Sequence, residues 1–389
     1  MNTESDPVFP AYPPSRCEGG YPDLPGAGTV PSGPPRNGQA SVFKGIRPSF
    51  APRRFLARSL LSLLSAKECR EWSIMTTNPQ IAVVFPGQGT QRPGMGKDFF
   101  DGIPESRRVF EEASDALGWN VADLCFGEDD RLNLTEYAQP AILATEIAML
   151  RGIESRYDFH PRLFGGHSLG EYTALVAAGA LPFAETLKVV HTRGHLMQEA
   201  APLGTGAMAA VISPRLDLEA VQRAIRNLPI DVANDNSTDQ VVISGEKEAM
   251  PAAEHSIAGE LAGEGPFRFV ALNVSAPFHS RFMRTVQELF RDALEFLRRY
   301  LVPDRAVSVT SNFTGNFHLE EMHKVIEHLT LQLSNTVRWR DNMKALSRRS
   351  GTIIEIGPGR PLRDFFRTID VTCRSITTLS SAERMFKPG

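Results

Sequence analysis

The sequence predicts an α/β fold, in which a parallel β-sheet is covered by helices and a smaller α+β unit is inserted. Apolar, β-branched runs alternate with segments of helical periodicity, as in parallel sheets. A serine between glycines, in "GGHSLG" (165–170), ends a predicted strand and opens a predicted helix. A β-α-β-β-α-β pattern then occupies residues 206–274. These three observations carry the prediction.

The elements of the larger unit follow from short apolar runs and longer amphipathic ones. "QIAVVF" (80–85) predicts a buried strand, and the Gly/Pro-rich "PGQGTQRPGMG" (86–96) predicts a loop after it. "RLFGG" (162–166) and "TIIEIG" (352–357) predict two further buried strands. Helical periodicity predicts helices over 104–117, 136–157, 168–180, 183–200 and 361–368.

The pattern changes after Pro202 and returns near residue 275. Between these points the sequence predicts strands at 206–212, 230–235, 240–245 and 267–274, with helices at 216–227 and 247–263. This order is that of a ferredoxin-like unit. We therefore expect a larger α/β core formed by 75–202 and 275–389, with a ferredoxin-like subdomain at 203–274.

The first 74 residues differ from the rest of the chain. Residues 1–52 hold 11 of the 28 prolines of the chain, together with many glycines and serines. Such a segment cannot bury enough apolar surface to offset the entropy lost when it becomes ordered. "RRFLARSLLSLLSA" (53–66) is basic and could form a short amphipathic helix. A transit peptide has this composition but belongs at the chain start, where acidic residues stand here. We expect 1–74 to be a disordered extension of no catalytic importance, or an over-long start assignment.

Composition excludes several classes of function. A net charge of −3 and a pI of about 6.3 provide no electrostatic footprint for nucleic acid. No apolar run is long enough to span a membrane. The four cysteines, at 17, 69, 125 and 373, are widely spaced, which fits a reducing compartment better than a disulfide framework or a zinc site. The sequence thus predicts a cytoplasmic protein with an ample hydrophobic core.

Ser168 is the first candidate for chemistry. G-x-S-x-G at a strand-to-helix turn describes the nucleophile elbow of an α/β-hydrolase-like core, where glycines let the turn close and the hydroxyl stands exposed. The helix amino terminus adds N–H groups and a positive dipole end for an oxyanion. A serine that merely caps the helix between two glycines remains the alternative.

A serine nucleophile needs a base, and several histidines follow it. His279, in "NVSAPFHS" (273–280), borders a predicted strand end, where α/β folds gather catalytic groups. His191, His195 and His255 remain candidates by spacing alone. The histidines at 318, 323 and 328 share a predicted helix without the HExxH spacing, so we expect a solvated helix face there and no metal site.

Seven segments in order resemble the malonyl-CoA:acyl carrier protein transacylase family, including discrete acyltransferases that serve polyketide synthases. The resemblance covers about residues 79–380 and rests on the ensemble, since no segment alone is specific. The segments are "FPGQGTQRPGMG", "AQPAILATE", "GHSLGEYTALVAAGAL", "RGHLMQ", "NVSAPFHSRFM", "LQLSNTVRW" and "EIGPGRPLRDFFR".

The resemblance implies roles for named residues. Ser168 is implied as the nucleophile that becomes malonylated and His279 as its general base. The main-chain carbonyl of Gln332 is implied to orient that histidine, so that no aspartate is needed. Arg193 is implied to bind the malonyl carboxylate, which suits the planar guanidinium fork. The remaining implied residues are the backbone N–H groups of Gln88 and Leu169 as oxyanion hole, and Met197, His167 and Gln139 in or near the pocket.

The implied activity is a two-step transfer of malonyl from malonyl-CoA to the phosphopantetheine thiol of an acyl carrier protein. Phe278 before the histidine and Leu169 after the serine both go with malonyl rather than methylmalonyl in related enzymes. No metal or redox cofactor is implied, CoA thioester is a substrate, and the family suggests a monomer. The alternatives are an acyl hydrolase with water as acceptor and a non-catalytic module that docks carrier proteins. "GQGTQRPGMG" lacks the GK[ST] ending of a phosphate loop, which argues against nucleotide hydrolysis.

Overall fold

The computed structural model describes residues 80–387 except 201–203, 264 and 275. The predicted extension at 1–74, with its amphipathic segment, lies outside these residues. Among the helices that are described, none is both long and apolar enough to cross a membrane.

A four-stranded parallel sheet forms the centre of the larger unit. The predicted strands at 80–85, 162–166 and 352–357 are confirmed, with small shifts at their ends, and a further strand near the carboxyl terminus joins them. The strands are β1 (Gln80–Phe85), β2 (Leu163–Gly166), β9 (Ser350–Ile356) and β10 (Cys373–Ile376). All neighbours in the sheet run parallel, in the order β10-β9-β1-β2. The short strands β7 (Thr310–Ser311) and β8 (Asn316–Phe317) form a separate antiparallel pair.

Helices surround this sheet and include the predicted ones. Those predicted at 104–117, 136–157, 183–200 and 361–368 are confirmed to within one residue at each end, whereas the helix predicted over 168–180 is shorter. The helices of this unit are α1 (Lys97–Gly102), α2 (Pro104–Leu117), α3 (Val121–Phe126), α4 (Thr135–Arg156), α5 (Leu169–Ala177), α6 (Phe183–Glu199), α9 (Arg284–Arg298), α10 (Pro303–Ala306), α11 (Met322–Leu331), α12 (Trp339–Ser347), α13 (Pro361–Arg367) and α14 (Leu379–Phe386).

Strand β1 shows why its sequence is continuously apolar. Val83 and Phe85 belong to one hydrophobic cluster, and Ala82 and Val84 belong to another on the opposite face. All four side chains are fully buried. A parallel sheet covered on both faces requires such strands, since neither face meets water.

A second sheet of four antiparallel strands occupies the middle of the chain. Its elements are β3 (Gly206–Ile212), α7 (Leu218–Ile225), β4 (Ile230–Asp235), β5 (Gln240–Glu246), α8 (Met250–Glu260) and β6 (Arg268–Ala271). The strands lie in the order β4-β5-β3-β6. The chain visits these elements as β-α-β-β-α-β, in agreement with the predicted order, although the last strand is shorter than the predicted 267–274.

The second sheet has its own core and also packs on the larger one. Ala209 and Val211 of β3 join α7 and α8 in a separate cluster, whereas Met208 and Ala210 belong to the main core. This alternation follows the two-residue period of a strand. A parallel bridge between Asn234 and Val337 also ties β4 to the segment before α12.

Candidate active site

The register of β1 and β2 brings two loops together. Phe85 and Gly166, the last residues of these neighbouring parallel strands, are paired. The chain therefore leaves both strands at one edge of the sheet, as "PGQG" on one side and "HSLG" on the other. A Cβ on Gly87 would lie 2.5 Å from the carbonyl oxygen of His167. The first loop thus lies directly against the residue before Ser168.

Ser168 stands on a strained turn between β2 and α5. Its φ of 52° and ψ of −100° are sparsely populated for a residue other than glycine. A Cβ on Gly166 would come within 2.0 Å of Gly170, and one on Gly170 would lie 2.2 Å from the carbonyl oxygen of Phe85. Only glycine fits at either place, so both glycines of "GHSLG" are needed for the close approach of the main chains.

His279 lies beside the Ser168 hydroxyl, 111 residues away in sequence. Its Nε2 is 2.7 Å from Ser168 Oγ, and its Nδ1 is 2.8 Å from the main-chain oxygen of Gln332. Because a carbonyl oxygen can only accept, Nδ1 carries the proton and Nε2 accepts the hydroxyl proton of Ser168. A main-chain carbonyl thus occupies the position that an aspartate holds in a Ser-His-Asp triad.

The electrostatic surroundings keep His279 neutral. Burial, and then the positive charge of Arg193, lower the pKa of His279 from 6.5 to about 3. The residue is only 4% exposed. A neutral imidazole with a free Nε2 is the state that a general base requires.

Arg193 reaches Ser168 from α6, where helix α6 packs closely on α4. A Cβ on Gly194 would lie 2.6 Å from the carbonyl oxygen of Thr135, so glycine permits this approach. Arg193 is fully buried, and its guanidinium carbon lies 5.4 Å from the centroid of the Tyr172 ring. Burial lowers the pKa of Arg193 below its ordinary value.

The Arg193 guanidinium donates to three oxygens. Nη1 donates to Gln139 Oε1 over 2.7 Å, and Nη2 donates to Gln332 Oε1 over 2.9 Å and to Ser168 Oγ over 3.1 Å. Gln139 in turn donates from Nε2 to Gln88 Oε1 and to Met197 Sδ. The cation therefore faces neutral acceptors, which an incoming carboxylate could replace.

The other predicted site residues also lie near Ser168. Leu169 is the first residue of α5, so its N–H belongs to the positive end of that helix. Gln88 follows β1, and its side chain donates to Thr135 Oγ1. His167 is 2.8 Å from Asn236 Oδ1, which lies just after β4. Phe278 is buried in the main core next to His279.

Two buried residues at Ser168 were not predicted. Asn312 accepts from the Ser168 N–H over 2.6 Å, and Glu171 accepts from Gln332 Nε2 over 2.7 Å. Both side chains are fully buried. A carboxylate within the apolar "EYTALVAAGA", three residues after the serine, was the sequence signal for Glu171. Asn312 follows the apolar "AVSVTS", so its position after a strand could have indicated it.

The prediction for the histidines at 318, 323 and 328 is wrong for two of them. His318 precedes α11 rather than lying on it, and its Nε2 is 2.9 Å from Glu171 Oε1 in the core. His328 is also buried, and only His323 is exposed. The partner of His318 lies 147 residues earlier, so helical periodicity could not reveal it.

A cleft of about 350 Å³ opens beside His279. Arg226, Arg281 and Arg284 line it, together with residues of β4 and the segment 334–336. Arg281 is paired with Asp231, which holds the chain just after His279 against β4. Across the residues that the structure describes, no group of three or more His, Cys, Asp or Glu side chains could hold a metal ion.

Comparison with known proteins gives consistent matches. Residues 82–368 match the family described as acyl transferase domain. A "Malonyl CoA-acyl carrier protein transacylase" of Bacillus subtilis (strain 168) is 37% identical over 305 residues, 76% of this chain and 92% of that protein. The crystal structure of the protein of that name from Clostridium perfringens ATCC 13124 is 36% identical with a TM-score of 0.71, covering 79% of this chain and 96% of that one. A type II PKS acyl-carrier protein in complex with its malonyl-transacylase gives 35% identity and a TM-score of 0.72, covering 79% and 99%.

Proposed function

The chain belongs to the malonyl-CoA:acyl carrier protein transacylase family, and we propose that Ser168 is the nucleophile of its reaction. The protein is an acyltransferase that moves the malonyl group of malonyl-CoA to an acyl carrier protein, for fatty-acid or polyketide biosynthesis. One observation carries the assignment of Ser168: its Oγ contacts both His279 Nε2 and Arg193 Nη2. A base and a carboxylate-binding cation thus meet at one hydroxyl.

In the first step the Ser168 hydroxyl attacks the thioester carbonyl of malonyl-CoA. His279 Nε2 takes the hydroxyl proton as the bond from Oγ to carbon forms. The carbon–sulfur bond then breaks, and the proton passes from His279 to the CoA sulfur. The main-chain carbonyl of Gln332 accepts from Nδ1–H and stabilises the imidazolium, as the aspartate does in a Ser-His-Asp triad.

Arg193 binds the free carboxylate of the malonyl group during this step. Its guanidinium presents parallel donors that suit a carboxylate, and the neutral oxygens of Gln139 and Gln332 are weaker competitors. The N–H groups of Gln88 and Leu169 receive the oxyanion. Gln139, Met197, His167 and Phe278 shape the pocket around the acyl chain.

The second step repeats the first in reverse with a different thiol. The phosphopantetheine sulfur attacks the malonyl-serine ester, His279 takes the thiol proton, and Ser168 Oγ leaves and is reprotonated. Each step exchanges one acyl bond and moves one proton, so the chemistry needs no metal and no redox cofactor. The arginines of the cleft beside His279 suit the phosphate groups of CoA and of the phosphopantetheine on the carrier protein.

We propose that the turn at Ser168 is a nucleophile elbow and that the second sheet is a ferredoxin-like subdomain spanning 203–274. The φ and ψ of Ser168 and the crowding at its glycines support the elbow. The antiparallel order β4-β5-β3-β6 supports the subdomain. The core would then comprise 75–202 and 275–389. We further propose a monomer in the cytoplasm, supported by the family and by the four widely spaced cysteines.

Trapping of the acyl-enzyme tests the nucleophile. The native protein is incubated with malonyl-CoA labelled in the malonyl group, quenched in acid and digested, and the label is located by mass spectrometry. We expect one malonyl group on the Ser168 peptide and none in Ser168→Ala. Label on another residue, or equal label in Ser168→Ala, contradicts the assignment.

A chase with holo acyl carrier protein distinguishes the acceptor. Label moves to the phosphopantetheine thiol if the protein is a transferase. Release of free malonate at the same rate with and without carrier protein would favour the hydrolase. Binding of the carrier protein without any acyl-enzyme would favour a docking module.

A further inference from the structure

Behind Ser168 lie buried polar side chains that the proton transfers do not use. Glu171 and Asn312 are fully buried, and His318 is 3% exposed. Burial of a polar group destabilises the fold unless the group is hydrogen-bonded. Their partners therefore indicate what they stabilise.

Asn312 bridges the two main-chain groups on either side of the sharp turn. Its Oδ1 accepts from the Ser168 N–H over 2.6 Å, and its Nδ2 donates to the Gly166 carbonyl oxygen over 2.7 Å. The strained φ and ψ of Ser168 cost about 1–3 kcal/mol and persist only where the surroundings hold them. One planar amide supplies both an acceptor and a donor at that corner.

Glu171 in turn fixes Asn312 and a second amide. Its Oε2 accepts from the Asn312 N–H over 2.9 Å and from Gln332 Nε2 over 2.7 Å. Because Oε2 already accepts from Asn312, the Gln332 NH₂ group faces this oxygen, and it also donates to the Ser168 carbonyl oxygen over 3.0 Å. Gln332 Oε1 consequently faces Arg193, which donates to it over 2.9 Å.

We propose that Asn312 and Glu171 are positioning residues of the transferase: Asn312 holds the strained main chain of Ser168, and Glu171 holds Asn312 and orients Gln332 toward Arg193. Neither side chain touches the reacting atoms. One carboxylate thereby links the nucleophile to the carboxylate-binding arginine. The inference rests on the proposed role of Ser168 and adds to it the means by which Ser168 and Arg193 keep their relative positions.

Asn312→Asp tests the proposed role of Asn312 with little change in the shape of the side chain. The introduced carboxylate still accepts from the Ser168 N–H but turns a lone pair toward the Gly166 carbonyl. We expect acylation of Ser168 by malonyl-CoA to slow at least about tenfold, since a small misplacement of a reacting group has effects of that size. Labelling of Ser168 by a fluorophosphonate, which has no carboxylate for Arg193, should slow by a similar factor.

The pH profile separates this role from a merely structural one. When protonated, the introduced carboxyl can again donate to the Gly166 oxygen and accept from Ser168. Labelling of Asn312→Asp should therefore recover as the pH is lowered, whereas labelling of the native enzyme should show no such gain. The neighbouring ionisable groups, Glu171, His279 and Arg193, are the same in both proteins.

Asn342→Asp is a matched control, because Asn342 is a fully buried asparagine of α12. The control should lower the melting temperature without slowing the labelling of folded protein. Slow labelling of Asn312→Asp without pH recovery, or equal slowing in Asn342→Asp, would overturn the inference for Asn312. Failure of the native enzyme to label at all would instead overturn the proposed role of Ser168.

Glu171→Met tests the proposed role of Glu171, with Glu171→Gln as its control. Methionine at 171 offers no oxygen to the Asn312 N–H or to Gln332 Nε2, so the Gln332 amide loses the carboxylate that orients it. We expect the preference for malonyl-CoA over acetyl-CoA in acylation to fall by about fivefold or more, as for the net loss of one hydrogen bond. In Glu171→Gln the NH₂ group can face His318 Nε2 while the amide oxygen keeps both donors, so the preference should stay near the native value. An unchanged preference in a folded Glu171→Met protein would overturn the proposed role of Glu171.

Discussion

Arg193 Nη2 lies 3.1 Å from Ser168 Oγ, and the same oxygen lies 2.7 Å from His279 Nε2. A carboxylate bound to the guanidinium must therefore lie close to a carbonyl attacked by the hydroxyl. Malonyl thioesters satisfy this condition, because one methylene separates their carboxylate from their thioester. We therefore expect Arg193 to select acyl groups by the distance between their carboxylate and their thioester as well as by charge.

Replacement of Arg193 by alanine should change which acyl groups are accepted. Loss of a charge-assisted, buried contact should cost malonyl transfer about 2–4 kcal/mol. Acetyl-CoA has no carboxylate and never made that contact, so Arg193 keeps its neutral partners Gln139 and Gln332 when acetyl-CoA is bound. The malonyl-to-acetyl ratio of kcat/KM should fall at least about tenfold. Competitive loading of Ser168 from mixed malonyl-CoA and acetyl-CoA measures this ratio.

Arg193→Lys is the control for charge alone. Lysine keeps the positive charge but lacks the planar fork, so it should recover little of the malonyl preference. Equal losses for both acyl groups in Arg193→Ala would mean that the arginine is structural. Its assignment to the carboxylate would then have to be withdrawn.

Replacement of His279 by alanine should slow acylation by several orders of magnitude while the protein stays folded. The variant loses the acceptor of the Ser168 proton and the orienting contact to Gln332 together. Rapid-quench measurement of malonyl-serine formation gives the rate. His191→Ala, on the outer part of α6 beside Glu136, should keep the native rate and serves as the control. Near-native acylation in His279→Ala would exclude it as the base.

Gln139→Met should raise the ratio of kcat/KM for malonyl-CoA to kcat/KM for acetyl-CoA. The change removes the neutral oxygen that accepts from Arg193 Nη1 over 2.7 Å and that a bound carboxylate would have to replace. A hydrogen bond contributes about 0.5–1.5 kcal/mol net, so the ratio should rise by about two- to tenfold. Steady-state kinetics with both substrates give this ratio. A fall in the ratio would contradict the replacement of the Gln139 oxygen by the malonyl carboxylate.

Stability should decrease as the medium becomes acidic, in part because of His279. Its pKa is about 3 in the folded protein and 6.5 for an ordinary histidine, so between these values only the unfolded chain takes up the proton. The free energy of unfolding therefore falls as the pH drops from 6.5 toward 3. Urea titrations at pH 7.5 and pH 5 (chosen to bracket roughly the ordinary pKa) should show a smaller loss in His279→Gln than in the native protein.

The comparison between the two proteins is essential because other buried groups act in the opposite direction. Burial raises the pKa of Glu355 to about 7, so its protonation stabilises the fold as the pH falls. That contribution is common to both proteins and cancels in the difference. Identical pH dependence in His279→Gln and the native protein would show that His279 takes up its proton normally in the fold.

Much of the fold was predictable from the sequence because its signals are local. The continuously apolar run at 80–85 predicted a strand buried on both faces, and the alternation of elements predicted the parallel sheet. The neighbouring sequence also indicated the serine at 168, because glycines on both sides of it allow a tight turn between a strand and a helix. The order of seven segments identified the family without any knowledge of how they pack.

Residue spacing alone left the base of Ser168 open, and the family resemblance implied His279 in place of His191 or His195. The tertiary structure makes the contact between His279 and Ser168, which spans 111 residues. Asn312 and Glu171 went unpredicted, and His318 was predicted to be on a solvated helix although it is bonded to a buried carboxylate. Periodicity reports only which face of an element is apolar. Which polar groups meet inside the core depends on how the elements pack, because hydrogen bonds there are made between segments far apart in the chain.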